Sequence, residues 1–132
     1  MSKNKILLTF LLSITLFTSS FADYISGQRE YVNGNYKNAI SEWTPVAENG
    51  SARAQYNLGW MHANGKGTAQ DFKEAIEWYK KSAELGNVNA QYNLANLYLR
   101  GQGAVQDDKL AFSWFIKAAE QGDAPAQYNL GR

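Results

Sequence analysis

A five-residue word written three times at one interval restricts this chain to a small set of architectures. Ala54-Gln55-Tyr56-Asn57-Leu58 returns as Ala90-Gln91-Tyr92-Asn93-Leu94 and again as Ala126-Gln127-Tyr128-Asn129-Leu130, 36 residues apart each time. Gly50, Gly86 and Gly122 keep the interval, as do Ala39, Ala75 and Ala111 and the ring positions Trp43, Tyr79 and Phe115. Residues 52–87 laid on 88–123 without gaps share 16 identities in 36. A period of roughly 20–50 residues means stacked units that bury a continuous core only together.

Each unit reads as two helices. The first is predicted over about residues 52 to 64 and the second over about 71 to 85. Ser51, Asn87 and Asp123 stand where N-caps are wanted, and Pro125 falls in a first turn, where its missing N–H costs nothing. Asp71 with Glu74 three residues on forms a pair of capping-box type. Gly86 lies just past a helix end, where a left-handed residue is needed. Gly65-Lys66-Gly67 and Gly101-Gln102-Gly103 are the turns between helices. Phe72, Ala75, Ile76, Tyr79 and Ala83 share one helical face, opposite Lys73, Glu74, Glu77, Lys81 and Glu84. Small Ala75, Ala83, Ala111 and Ala119 allow close helix approach, and Trp78 and Trp114 fill the space between neighbours. The predicted fold is all-α, a right-handed superhelical solenoid of antiparallel helix pairs.

The Ala-Gln-Tyr-Asn-Leu run, the Gly-x-Gly turn and then Asp71, Ala75, Trp78, Ala83 and Gly86 resemble the Sel-like repeat, which is similar to the tetratricopeptide repeat with a longer loop between its helices. Residues 52–87 and 88–123 match it as full units. Residues 24–51 resemble the shorter tetratricopeptide form through Gly27, Gly34, Tyr36, Ala39 and Trp43, without the Gly-x-Gly loop. Residues 124–132 begin another first helix, read as an incomplete repeat or a cap.

The first 22 residues read as a secretory signal peptide. Lys3 and Lys5 make a basic start, Ile6 to Phe17 is an apolar run, and Ser20-Phe21-Ala22 places small residues before a cut between Ala22 and Asp23. The run is about 12 residues long, short of the ~20 that a spanning helix needs. This predicts a periplasmic or secreted bacterial protein, comprising residues 23–132, with no membrane insertion after cleavage. Without the leader the chain carries 11 Lys+Arg against 12 Asp+Glu, so no global charge draws it to nucleic acid. Cysteine is absent, which leaves packing to supply the stability.

Reactive groupings are sparse. His62 is the only histidine, and Tyr98 takes its place one repeat later, which points to an aromatic slot in a helix. One histidine without cysteine makes no zinc site, and nothing marks an oriented partner for nucleophilic catalysis. Gly65-Lys66-Gly67-Thr68 departs from a phosphate loop, since glycine follows the lysine and Gln102 replaces it in the next unit. Asn49-Gly50-Ser51 reads as a helix end and the next N-cap. No catalytic residue, metal or cofactor is predicted.

The first helices carry a second stripe beside the core stripe of Ala54, Leu58, Met61 and His62. Arg53, Tyr56, Asn57, Trp60 and Asn64 share it by helical spacing, followed in the next unit by Asn89, Tyr92, Asn93, Asn96 and Arg100, then by Tyr128, Asn129 and Arg132. The stripe holds aromatics, asparagines and arginines and no carboxylate. In related solenoids the first helices line the concave surface, and the resemblance implies that Asn57, Asn93 and Asn129 with the basic residues could grip a peptide there. Positions identical between units, Tyr56, Tyr92 and Asn57, also suit packing between units. The varying ones, Arg53/Asn89, Trp60/Asn96 and Asn64/Arg100, suit specificity. The function read from the chain is an exported, monomeric protein–protein interaction module that binds a peptide segment or partner protein on its concave face. The alternative, a β-lactam-binding or hydrolysing enzyme, follows from cysteine-rich relatives whose disulfides this chain lacks.

Overall fold

A computed structural model describes the backbone of residues 3–131 and the side chains of 3–6 and 21–131. Met1, Ser2 and Arg132 lie outside the described residues, as do the side chains of most of the leader's apolar run. The described residues form the helices α1 (Lys3–Val32), α2 (Tyr36–Glu48), α3 (Ala52–Asn64), α4 (Phe72–Glu84), α5 (Val88–Arg100), α6 (Asp108–Glu120) and α7 (Ala124–Asn129). Each helix packs on its neighbour in sequence, and α3 also touches α5. This near-linear contact order is what a stack of helix pairs requires. Helix α1 runs through Ala22 and Asp23 without a break, and its last turns pair with α2 as the first unit.

The punctuation follows the sequence. Ser51, Asn87 and Asp123 each accept a hydrogen bond from the backbone N–H three residues on, and Asp71 and Asp107 do the same for α4 and α6. The Asp71–Glu74 pair closes only in this forward direction. The Asp71 N–H donates to the His62 carbonyl at 2.9 Å, and the Asp107 N–H repeats the bond to Tyr98 at 3.0 Å. That backbone bond ties the end of a first helix to the start of the second and takes the donor that a reciprocal box would use. After α4, Gly86 at φ 90° donates to Ala83 (3.0 Å) and Asn87 donates to Ser82 (3.1 Å), satisfying last-turn carbonyls.

Two close approaches set how the layers fit. A Cβ on Gly27 would fall 2.4 Å from the Trp43 ring, and one on Gly59 would fall 2.6 Å from the Tyr79 ring. Each first helix therefore rests its backbone on the large ring of its own second helix, and the fully buried Ala95 and Phe115 hold the same places in the next unit. The second glycine of each turn has a different neighbour. A Cβ on Gly67 would lie 2.6 Å from the Tyr36 backbone, and one on Gly103 would lie 2.5 Å from that of Phe72. Each turn thus sits on the first residue of the preceding unit's second helix, with no room for a side chain. Trp78 and Trp114 are buried, and Lys81 and Lys117 cover their rings at 4.6 and 4.7 Å. Trp78 belongs to a core cluster that spans the junction with the preceding unit, joining Trp43 and Val46 of that unit to Ala54 and Leu58 of its own.

The junctions also use a buried amide. Gln55, Gln91 and Gln127 donate to the carbonyls of Ala47, Ala83 and Ala119, in each case eight residues back across the helix boundary. The Gln91 carbonyl oxygen accepts in turn from Gln121 at 2.9 Å. One repeat earlier Leu85 stands in the place of Gln121, and the Gln55 oxygen is buried without a partner. Leu85→Gln is therefore expected to stabilise the protein by ~1 kcal/mol, by supplying a donor to a buried acceptor and removing an exposed leucine. Urea unfolding measures it, and an unchanged midpoint would show that the junction does not sense that oxygen.

Candidate functional site

The first helices α1, α3 and α5 lie side by side and present two adjoining pockets. The first, about 370 Å³, is lined by Gln28, Tyr31, Trp43, Tyr56, Asn57, Trp60 and Met61. The second, about 380 Å³, includes Trp60, Asn64, Phe72, Asn93, Asn96 and Arg100 in its lining. Trp60 belongs to both linings.

The rings of the first pocket support one another. Tyr31 packs on Trp43 (5.8 Å between centroids), on Tyr36 (5.4 Å) and edge-on against Trp60 (6.0 Å, 76°). Trp43 is itself fixed, since it stacks on Tyr24 and its indole N–H donates to the Tyr24 carbonyl at 3.1 Å. The floor is built from repeated residues. Asn57 donates to the Tyr24 hydroxyl and Asn93 to the Tyr79 hydroxyl, both at 3.3 Å. Tyr56 lies on Tyr79 (5.8 Å), and Tyr92 lies on Phe115 (5.6 Å). These contacts give the Tyr-Asn pair of each unit a place in the packing between helices.

The varying residues stand differently. Asn64 and Asn96 each give one amide hydrogen to a carbonyl of their own helix, Trp60 at 2.9 Å and Tyr92 at 3.0 Å. That bond uses one amide hydrogen and leaves the other hydrogen and the amide oxygen without a bond inside the helix. Arg100 is exposed and is the one charged residue in the two linings. Arg53 is exposed, with its guanidinium 5.4 Å from the centre of the Tyr24 ring, and Asn89 is exposed at the start of α5. Neither Arg53, Asn89 nor Tyr92 lines either of these two pockets, whereas Tyr56, Asn57, Trp60, Asn64, Asn93, Asn96 and Arg100 do. His62 is half-buried, and its carbonyl holds the turn.

Sequence reasoning missed Gln28, Tyr31, Phe72 and Gln102, which come from outside the stripe. A signal for Gln28 was present. Gly27 and Gly59 play the same part against a second-helix ring, so Gln28 precedes Trp60 and Asn96 as the varying position of its unit.

Burial pushes the hydroxyl pKa of Tyr79 and of Tyr56 above the ordinary 10.0, and the Asn93 amide offsets part of both shifts. A raised folded-state value contributes stability that is complete below the unfolded value and is lost as pH climbs toward the folded one. The protein should therefore lose stability above about pH 10, and Tyr79→Phe should flatten that decline. Urea midpoints measured at pH 8 and at pH 10.5 test this, and an identical alkaline loss in the variant would refute it.

The model of the Sel1 repeat matches residues 52–87, 88–123 and 124–132. The comparison with curated proteins finds no match. Among solved structures the chain is similar to a Sel1 repeat protein from Oxalobacter formigenes, at 31% identity and TM-score 0.77, covering 81% of this chain and 44% of that one. It is also similar to a protective antigen of uropathogenic Escherichia coli strains that displays an SLR fold, at 33% identity and TM-score 0.80, covering 85% of this chain and 25% of that one. Cysteine-rich protein B of Helicobacter pylori shares 26% identity at TM-score 0.64, over 67% of each chain. The chain thus spans less than half the length of the first two. The helix pairs, the repeat match and these neighbours agree, and the chain belongs to the Sel1 repeat family.

Proposed function

We propose that the protein is an exported interaction module that binds a peptide segment or partner protein in the groove along α1, α3 and α5. Sel1 repeat proteins are generally protein-interaction modules and typically non-enzymatic scaffolds. The observation that carries the proposal is the meeting of two pockets at Trp60. There the residues that differ between units, Trp60, Asn64, Asn96 and Arg100, are among the lining residues. Varying residues gathered beside recurring ones that carry the packing suit recognition by a repeat scaffold. The protein acts as a monomer and by binding, not catalysis.

Export rests on the leader-like residues 1–22, cut between Ala22 and Asp23. Among the described residues no helix is long and apolar enough to cross a membrane. The three neighbours are bacterial proteins, one of them a protective antigen, which accords with work in the periplasm or outside the cell.

The double variant Trp60→Ala, Arg100→Ala is expected to lose the native partner by about a hundredfold in affinity, since two such anchors together carry a few kcal/mol. Because Trp60 packs on Tyr31 and on both core clusters, the variant should melt several degrees lower, and circular dichroism at the assay temperature checks that it stays folded. Photo-crosslinking from position 60 in the native compartment identifies the partner, and the double variant is then titrated against it. Unchanged affinity with an intact fold sinks the groove reading.

A further inference from the structure

The first helix pair keeps the register of the later ones. Tyr24 stacks on Trp43 at 6.1 Å between centroids, as Tyr56 lies on Tyr79 and Tyr92 on Phe115. Three residues after Tyr24 and Tyr56 come Gly27 and Gly59, each against the same ring as its tyrosine. Asp23 therefore holds the place of Gln55 and Gln91. Those glutamines donate to a carbonyl at the end of the preceding second helix. Among the described residues no second helix precedes α1, so position 23 has no such carbonyl to reach. Aspartate is also a weak helix former, and in the uncut chain position 23 lies in the interior of α1.

An aspartate suits the start of a helix better. The helices α3, α4, α5, α6 and α7 each begin after a Ser, Asn or Asp whose side chain accepts from the backbone N–H three residues on. A cut between Ala22 and Asp23 takes away the carbonyls of Ser20, Phe21 and Ala22. In a continuous helix those carbonyls accept from the N–H groups of Tyr24, Ile25 and Ser26. Asp23 then stands first, three residues before Ser26, with a carboxylate matched to the positive end of the helix. The turn that it closes carries Tyr24. The Tyr24 carbonyl accepts from the Trp43 indole at 3.1 Å, and its hydroxyl accepts from Asn57 (3.3 Å) and donates to Gln28 (3.4 Å). Gln28 and Asn57 line the first pocket.

We infer that removal of the leader converts Asp23 from a helix-interior residue into the N-cap of a shortened α1, and that this cap keeps Tyr24 seated behind the wall of the first pocket. This rests on the export reading above and assigns a structural consequence to the cut.

The chain is expressed with its leader, the processed product is recovered, and mass spectrometry should place its N-terminus at Asp23. In that product Asp23→Ala should raise the unfolding equilibrium constant about fivefold in urea titrations. Hydrogen exchange at the Ser26 amide should quicken several-fold. Two more variants separate a cap from a surface charge. Asp23→Asn keeps the cap without the charge and should stay near the parent in both measurements. Asp23→Glu keeps the charge on a side chain one methylene too long for the cap and should behave like Asp23→Ala. The reverse order, with the glutamate variant near the parent and the asparagine variant weakened, overturns the inference. So does an Asp23→Ala product that unfolds and exchanges like the parent. In both cases an N-terminus at Asp23 leaves the export reading standing. A product that keeps its leader or begins at another residue sinks the cap and the predicted cut together.

Discussion

Tyr79 holds three helices at one point. Its ring carries the backbone of α3 at Gly59, its hydroxyl accepts from Asn93 on α5, and its own helix α4 supplies its anchor. The side chain is almost wholly buried, and beside it lies Tyr56. The spacing between α3 and α5, and with it the width of the groove at Trp60, depends on this contact. A buried ring fixes a distance because an interior packed at crystal density tolerates neither a gap nor an overlap. The hydroxyl adds direction, since leaving it unpaired in the same place would cost about 1–3 kcal/mol.

The repeats divide labour between residues that recur and residues that change. The recurring glutamines bond across the helix boundaries, the recurring Tyr-Asn pairs bridge helices, and the recurring glycines let backbone meet ring or backbone. Selection on fit alone accounts for them. The changing positions 60, 64, 96 and 100 line the two pockets on that fixed frame.

Most of the fold was legible in the sequence, since a local rule was repeated often enough to be read. Capping serines, asparagines and aspartates, left-handed glycines and a helical apolar stripe each act within a few residues, and the helix bounds of α3 and α5 follow from them. Contacts between units were not legible. That Gly67 and Gly103 must pass against the backbone of Tyr36 and Phe72 depends on how one unit sits on the last. The buried role of Gln55 and Gln91 was hidden for the same reason. A polar residue in a first helix looks solvent-facing until the preceding helix end is placed over it. The helical spacing groups Trp60, Asn64, Asn96 and Arg100, and the structure brings them into the linings of the two pockets. Arg53 and Asn89 share that spacing but lie outside the pockets, in the first turns of their helices.

A double-mutant cycle between Tyr79→Phe and Asn93→Ala, read by urea unfolding near neutral pH, tests the claim that one tyrosine joins the units. The single variants should each lose about 1–3 kcal/mol, and the cycle should return a coupling near 1 kcal/mol, because the hydroxyl and the amide stabilise each other and the second loss finds its partner already gone. Strictly additive losses, with a coupling below about 0.3 kcal/mol, would contradict it and assign the hold between α4 and α5 to apolar packing alone.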